Sequence, residues 1–463
     1  MTCLRAIAFA VVCAAIACGC VSVDSDARDA VLALESGDDA KALAWSSELA
    51  DESHYSRNLG VAEAGRVNML AGQYAESERR FRAAVDSAVD RSENAPKIKL
   101  GDVGNEAMAA TVTDDRTRQY YLPPYEINMA VEYAILAQAL NGKRDEALVD
   151  ARLAVYVQDT LAETYGADVA KEPSGTTDAS RKIINEQTAS LEEMIASSRN
   201  SWENPVLWWL TGVLFEADGQ LDMAWQSYRK ATVTGPGCSL FAADAARAEK
   251  GVTPASGKAK LVVIYDQGFV PRRESLKVPV PIYTGFAIDI PKYPNEPFSD
   301  NRVEVEVASL RSAASPALNV RSLAARDLKE KLPGVIVRNI TRAAVQAGAQ
   351  AAVNSSGNNY ARLAVFAGNM VVSAIRRADV RSWATLPASQ QVWCADALDP
   401  GTHDVRVNVN GRAMSARVPL AAGETRVLWL ADLGGTMRGA SASLGGKGAP
   451  PTDLNGKEIK HEN

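Results

Sequence analysis

A helical pattern that restarts at short glycine turns dominates the first half of this 463-residue chain. Over residues 25–250, alanine-rich segments with apolar residues three and four positions apart are interrupted at Gly37, Gly72, Gly142 and Gly219. Such spacing predicts amphipathic helices. The first two glycines are 35 residues apart, near one repeat of ~34 residues, and the next interval of 70 is near two. The sequence therefore predicts a repeated helix–turn–helix unit.

The clearest copy of this unit lies between residues 207 and 236. It has an aromatic residue and a glycine four positions apart, an aromatic three positions later, and then a small–aromatic–small series. These residues are Trp208, Gly212, Phe215, Ala224, Tyr228 and Ala231. Weaker copies place Gly65, Phe81, Ala84 and Ala147 at corresponding positions. The series is typical of tetratricopeptide repeats, in which small residues let two helices approach and aromatic residues fill the space between them. It predicts a tetratricopeptide-like α-solenoid over residues 26–250.

A solenoid of this kind offers a concave face to extended peptides or partner helices. The alternative is that the helix pairs only pack against the C-terminal half of the chain. Trp209 illustrates the choice, because it fits either a core position, which we favour, or a position facing a ligand.

After a turn-rich stretch at 251–257, the helical periodicity ends and the sequence pattern becomes typical of strands. We expect strands, a helix over 320–352 that breaks at Pro333, a second helix over 359–376, and an antiparallel meander with a hairpin turn at Asn410-Gly411. This predicts a mixed, mainly antiparallel strand-and-helix domain over residues 257–433, followed by a disordered tail over 434–463. The predicted fold class is multidomain, α plus α/β.

The first twenty residues carry a targeting signal. Arg5 precedes an apolar run of about 12 residues, too short for the ~20 that span a bilayer. The run ends in Ala-Cys-Gly-Cys at 17–20, which resembles a bacterial lipoprotein box. The resemblance implies a signal peptide over 1–19, lipidation of Cys20, and a short tether over 20–25. With Val21 after the cysteine instead of aspartate, it also implies an outer-membrane lipoprotein facing the periplasm. The alternative is an ordinary cleaved signal with incidental cysteines.

Several further segments resemble a known family. They are residues 145–152, 268–271, 291–294, 328–333, 378–387 (ADVRSWATLP) and 400–407. In these segments the chain is similar to an uncharacterised family of bacterial tetratricopeptide-repeat lipoproteins, in which helix pairs precede a strand-rich domain. The resemblance implies this two-part arrangement, and no established activity comes with it.

Charge and motifs narrow the function classes. A net charge of −6 disfavours a dedicated nucleic-acid binder, and three histidines disfavour a histidine-rich metal site. Phosphate-loop, nucleophile-elbow and zinc-protease motifs do not occur. We therefore expect no catalytic residues, metal or cofactor, although a hydrolase with an unrecognised triad stays a third possibility. Cys238 and Cys394 are expected to be separate buried thiols, with a disulfide as the alternative.

Residues 321–381 form a basic segment, with ten Lys and Arg against three acidic residues. Its candidate contact residues are Arg326, Arg338, Arg342, Arg376, Arg377 and Arg381. They either bind an anionic envelope ligand or clamp the two halves together. We predict a non-enzymatic scaffold or adaptor that binds another envelope protein and reaches the membrane through its lipid anchor. The alternative is a peptidoglycan- or lipopolysaccharide-binding protein that uses the basic segment.

Overall fold

The computed structural model describes residues 23–51, 53, 55–90, 97–98, 118–169, 173, 175–253, 257–280, 286–355 and 377–460. The predicted signal peptide, Cys20, Arg376 and the predicted helix over 359–376 lie outside the described residues. Among the described residues, no helix is long and apolar enough to cross a membrane.

Helices occupy most of the described chain up to residue 249. They are α1 (Val23–Ser36), α2 (Asp39–Asp51), α3 (Arg57–Leu70), α4 (Tyr74–Ala88), α5 (Pro124–Leu140), α6 (Arg144–Val169), α7 (Asp178–Ala189), α8 (Glu192–Ile195), α9 (Pro205–Ala217), α10 (Leu221–Thr234) and α11 (Ser239–Glu249). A small hairpin, β1 (Val89–Asp90) and β2 (Lys97–Ile98), follows α4.

Four helix pairs share one turn geometry. Gly37, Gly72, Gly142 and Gly219 all have φ between 74° and 86° and end α1, α3, α5 and α9 respectively. In each turn the residue after the glycine donates its N–H to the carbonyl oxygen five positions earlier, at 2.8 Å. This hydrogen bond needs a left-handed residue, which glycine adopts without steric cost. The turn glycines recognised in the sequence therefore set where each pair folds back.

The second half contains the remaining strands and one long helix. The strands are β3 (Ala259–Gln267), β4 (Glu274–Pro279), β5 (Ala287–Lys292), β6 (Val303–Val307), β7 (Leu310–Ala313), β8 (Ser315–Asn319), β9 (Ser389–Leu398), β10 (Gly401–Val409), β11 (Arg412–Leu420), β12 (Thr425–Asp432), β13 (Met437–Gly445) and β14 (Thr452–Asp453), and the helix is α12 (Val320–Ser355). The structure thus combines helices with mixed, mainly antiparallel sheets, as the sequence predicts.

Two larger sheets stack on one another. The first has the strand order β14-β13-β12-β3-β9-β8, and the second the order β11-β10-β6-β7. Only the β12–β3 pair in these two sheets is parallel. Strands β4 and β5 form a separate hairpin. The predicted turn at Asn410-Gly411 joins β10 to β11, with φ values of 50° and 89°.

The six-stranded sheet is the middle of three layers. One face packs Leu261, Val263 and Leu430 against valines of the four-stranded sheet. The opposite face packs Ile264 and Trp429 into the cluster that includes the helices. Every residue of β3 and β12 is consequently buried. Burial on both faces explains why these strands are continuous apolar runs and not alternating patterns.

Helix α12 differs from the prediction, because it continues through Pro333. Proline removes one backbone hydrogen bond and crowds the preceding turn. Leu328, Leu332, Ile336 and Ile340 are buried on both sides of it, so packing along one face holds the helix together across the proline.

The predicted disordered tail is also different, since residues 437–445 and 452–453 form β13 and β14. The buried Arg426 guanidinium donates to the carbonyl oxygens of Ala449 and Pro450 and so fixes the chain between these strands. Small residues are required here, because a Cβ on Gly445 would lie 2.4 Å from the Ala217 Cβ of α9. The composition that suggested disorder instead permits close packing.

We expect Gly212→Ala to lower the free energy of unfolding by about 1–3 kcal/mol, because overpacking a tight contact is destabilising. A Cβ at this position would approach the Tyr228 ring to 2.6 Å. Gly237→Ala is the matched control, since its Cβ would meet none of the described atoms within 4 Å. Urea unfolding of both variants measures the difference. Equal midpoints for the two would contradict the close helix crossing.

Candidate functional site

The first helices of three of the pairs, α3, α5 and α9, are enclosed by the rest of the chain. All 17 residues of α5 are buried, as are 12 of the 14 in α3 and 12 of the 13 in α9. A helix covered by its pair partner alone would keep one exposed face. The C-terminal half therefore covers the side of α3, α5 and α9 that a solenoid would offer to an external ligand.

Part of this cover is a stretch without helix or strand that we call the junction segment, residues 378–388, which turns at Ala384 and Thr385. Glu63 of α3 accepts hydrogen bonds from the backbone N–H of Ala384 at 2.6 Å and of Thr385 at 3.3 Å. It also accepts the Thr385 hydroxyl at 2.5 Å. One carboxyl group thus binds the segment through its main chain and one side chain.

Glu126 of α5 binds the preceding residue in the same way. It accepts the N–H of Trp383 at 3.0 Å and the hydroxyls of Tyr120 and Tyr125. The N–H groups of three consecutive residues of the segment therefore donate to two helix carboxyl groups.

The side chain of Trp383 fills an aromatic pocket between helices. Its ring centroid lies 6.0 Å from that of Phe81 and 6.4 Å from that of Tyr133. Its Nε1 donates to the Thr385 hydroxyl at 3.0 Å. Trp383 is fully buried, so the helices hold this segment by shape as well as by hydrogen bonds.

A buried ion pair joins α3 to β3 beside this pocket. Arg66 Nη2 lies 2.8 Å from Asp266 Oδ2, and each side chain is only 1% exposed. The same carboxylate oxygen accepts the Tyr133 hydroxyl at 3.0 Å and the Trp429 Nε1–H at 2.9 Å. The Arg66 guanidinium also lies over the Tyr133 ring, 4.4 Å from its centroid. Asp266 therefore links two helices and two strands.

Gln390 of β9 extends the hydrogen bonds across the interface. Its Nε2 donates to Asp266 Oδ1 at 2.8 Å and to Glu132 Oε1 at 2.7 Å. Asn204, the N-cap of α9, donates to the other Glu132 oxygen at 2.7 Å. We name the whole connected set the junction network. Its members are Glu63, Arg66, Glu126, Glu132, Tyr133, Asn204, Asp266, Trp383, Thr385, Gln390 and Trp429.

Burial changes the acidity of the carboxyl groups in this network. It raises the pKa of Glu63 to about 8, even though three hydrogen bonds favour the ionised form. It raises the pKa of Glu132 to about 7, with the charge of Asp266 adding to the effect. Burial also raises the pKa of Glu126. Glu63 and Glu132 consequently hold protons near neutral pH.

A second charged cluster lies at the other end of the interface and behaves oppositely. Lys260 of β3 is buried and lies 3.0 Å from both Glu216 and Asp396. Although burial opposes ionisation, the hydrogen bond from Arg247 and the charge of Lys260 lower the pKa of Glu216 to about 2. This cluster stays ionised and joins α9 and α11 to the six-stranded sheet.

The residues predicted to pack within the repeats all lie in the interior. They are Gly65, Phe81, Ala84, Ala147, Trp208, Gly212, Phe215, Ala224, Tyr228 and Ala231. Trp209 is also fully buried, and its Nε1 donates to Asp244 at 2.8 Å. It therefore faces the core and not a ligand.

Two of the candidate arginines connect the halves of the chain. Arg326 donates to the carbonyl oxygens of Ile195 and Ser198, and Arg381 donates to those of Tyr55 and Arg118.

The other candidate arginines lie in different settings. Arg342 is buried and donates to Asn339, Arg338 is half-buried, and Arg377 is exposed. The arginines of the basic segment that the structure describes therefore do not form one open cationic surface.

The remaining sequence candidates are apart from the network. Cys238 and Cys394 are free thiols, as expected, and are not joined by a disulfide. Among the described residues, no group of three or more His, Cys, Asp or Glu side chains is arranged to hold a metal ion.

No pattern in the sequence predicts the network itself. Its signal was present as isolated charged residues inside otherwise apolar segments, such as Glu63 and Arg66 in α3 and Asp266 at the end of β3. Such residues are rarely buried without a partner.

We expect Arg66→Met to lower the free energy of unfolding by about 3–5 kcal/mol, because it leaves Asp266 buried without its counter-charge. Arg66→Met combined with Asp266→Asn should recover part of the loss. The control is Arg311→Met, which breaks the exposed ion pair with Glu304 and should change stability little. Denaturant unfolding measures all three variants. A loss no larger for Arg66 than for Arg311 would contradict the role given to this pair.

Comparison with known proteins identifies no relative of this chain. The chain matches no protein-family model, no curated protein and no solved structure. The function is therefore inferred from the residues of this chain alone.

Proposed function

We propose that this protein is a non-enzymatic, membrane-anchored lipoprotein that acts as a scaffold or adaptor in the cell envelope. In this proposal its helical half is a tetratricopeptide-like solenoid that binds polypeptide. The observation that carries it is the junction segment. Its Trp383, Ala384 and Thr385 N–H groups donate to helix carboxyl groups, and its tryptophan fills a pocket between helices. Helices that bind one segment without helix or strand in this way have the chemistry to bind polypeptide.

A repeated contact supports the solenoid assignment. A Cβ on Gly65 would lie 2.6 Å from the Phe81 ring, and one on Gly212 would lie 2.6 Å from the Tyr228 ring. In both pairs the aromatic residue follows the glycine by sixteen positions, with an alanine three positions later. The same crossing is thus built twice from the same residue types, as in repeat proteins.

The anchor is proposed from the sequence around Cys20. Acylation of this residue with two or three chains would hold the protein firmly at a membrane, because each buried methylene contributes ~0.8 kcal/mol. The first described helix begins at Val23. The folded part would then lie close to the lipid surface, on the periplasmic side of an outer membrane.

Contacts within the chain weaken the alternative of an anionic envelope ligand at residues 321–381. Arg326 and Arg381 bind carbonyl oxygens of the helical half, and Lys329 lies 2.6 Å from Glu192. These cations are engaged by the protein itself.

The anchor is tested by Cys20→Ser, which removes the acceptor of the lipid and leaves the rest of the signal. We expect labelled fatty acid to be incorporated into the wild type and to be lost from the variant, which then leaves the membrane fraction. Equal labelling of the two would refute lipidation at this residue.

The adaptor role is tested by photocrosslinking from defined positions in living cells. The second helices carry the exposed faces, including Val149 on α6 and Val233 on α10, whereas Leu310 is exposed on the four-stranded sheet. We expect one protein partner to be crosslinked from both helix positions and not from Leu310, with each product identified by mass spectrometry. Recovery of only lipopolysaccharide or peptidoglycan from the helix positions would favour the alternative function.

A further inference from the structure

The junction network contains more carboxyl groups than positive charges. Glu63 and Glu126 face the junction segment, and Glu132 and Asp266 face Gln390. Within this set the single cation is Arg66, which pairs with Asp266. Three carboxyl groups therefore lack an ion-pair partner inside the network. Ionising all of them would bury several uncompensated charges, which costs several kcal/mol per group.

The surrounding charged groups do not remove this imbalance. Arg273 approaches Glu126 from the loop before β4, but its guanidinium lies 3.1 Å from Asp327 of α12, which also binds Lys331. The other titratable groups facing the network are the hydroxyls of Tyr120, Tyr125, Tyr133 and Tyr293. Arg273 therefore offsets part of the charge at Glu126. Among the described residues no cation forms an ion pair with Glu63 or Glu132, and these two are neutralised by protons.

We propose that the junction is a proton-operated latch. Ionisation of the glutamates strengthens the hydrogen bonds that they accept but buries uncompensated charge, and the junction segment is released from α3 and α5 so that these charges reach water. The latch itself follows from the charge count and the hydrogen bonds. Release of the latch would expose a polypeptide-binding face on α3 and α5, and this part rests on the proposed function.

The direction of the pH response follows from the linkage between protonation and folding. Glu63 has a pKa of about 8 in the folded chain and an ordinary value of 4.5. Its contribution to stability is fully present below pH 4.5 and is lost as the pH rises through 8. Glu132, with a pKa of about 7, loses its contribution earlier on the same rise. The Glu216 cluster, with its lowered pKa, weakens only under acidic conditions, so the latch opens toward alkaline pH.

Backbone amides of the segment report on the latch directly. The N–H groups of Trp383, Ala384 and Thr385 donate to the two glutamates and not to a neighbouring strand. From Leu386 onward the chain bonds to its own half, since the carbonyl of Leu386 accepts the N–H of Val270. Local release would therefore expose residues 383–385 while β9 stays protected.

The experiment is hydrogen–deuterium exchange of the full mature chain in detergent between pH 6 and 9, corrected for the intrinsic exchange rate. We expect protection at 383–385 to fall by up to tenfold per pH unit between pH 6 and 8, as for release of one proton, and to level off above pH 8, where Glu63 is ionised in both states. Protection of β9 should change less. Glu63→Gln should flatten this dependence. The matched control Glu304→Gln, in the outer sheet, should behave as the wild type.

Three results would overturn the latch. They are constant protection of 383–385 in the wild type between pH 6 and 9, an equal decline in wild type and Glu63→Gln, and loss of protection in β9 to the same extent. If Glu63→Gln does not fold, Glu132→Gln takes its place and should make the decline below pH 7 shallower. The exchange experiment requires no partner. If it shows the latch but no partner is crosslinked in cells, only the proposed function is contradicted.

Discussion

The ion pair between Arg66 and Asp266 is the contact on which the arrangement of the layers depends. It lies where a helix, the central parallel strands and the tryptophan of β12 meet, and it is almost completely removed from water. An isolated buried charge is costly, so each partner is tolerated only while the other is in place. The helices and the sheet are thereby required to dock in one register. Apolar contacts supply most of the stabilising area, and the ion pair selects which contacts form.

Small residues provide the second constraint. Glycines let aromatic rings of the second helices lie directly on the first helices, and Gly445 lets β13 approach the end of α9. Close packing of this kind leaves α5 with no exposed residue. The consequence is functional, because a helix enclosed on all sides meets an external ligand only after something in the structure moves.

The sequence predicted local features more successfully than it predicted their assembly. Turn glycines, the Asn410-Gly411 hairpin and the buried apolar strand over 261–265 depend on neighbouring residues and are visible in the chain. The uninterrupted α12 and the ordered β13 and β14 depend on distant packing, at Ile336 and at Ala217, which no local pattern reports. The junction network is the extreme case. Glu63 and Thr385 are 322 positions apart, and only the fold brings them together.

The stretch at 378–387 (ADVRSWATLP) stands out in the sequence and also forms contacts in the structure. It is one of the segments on which the predicted family resemblance rests, and the structure places its Arg, Trp and Thr, two residues apart, in contact with the helical half. The chain turns at Ala384 and Thr385, and the N–H groups of residues 383–385 all donate to carboxyl groups of the helical half. The glutamates opposite bind main-chain N–H groups, which any sequence provides, while the aromatic pocket selects the tryptophan. Because ionisable groups bind the backbone, the strength of binding depends on their protonation. The aromatic pocket determines which sequence is bound.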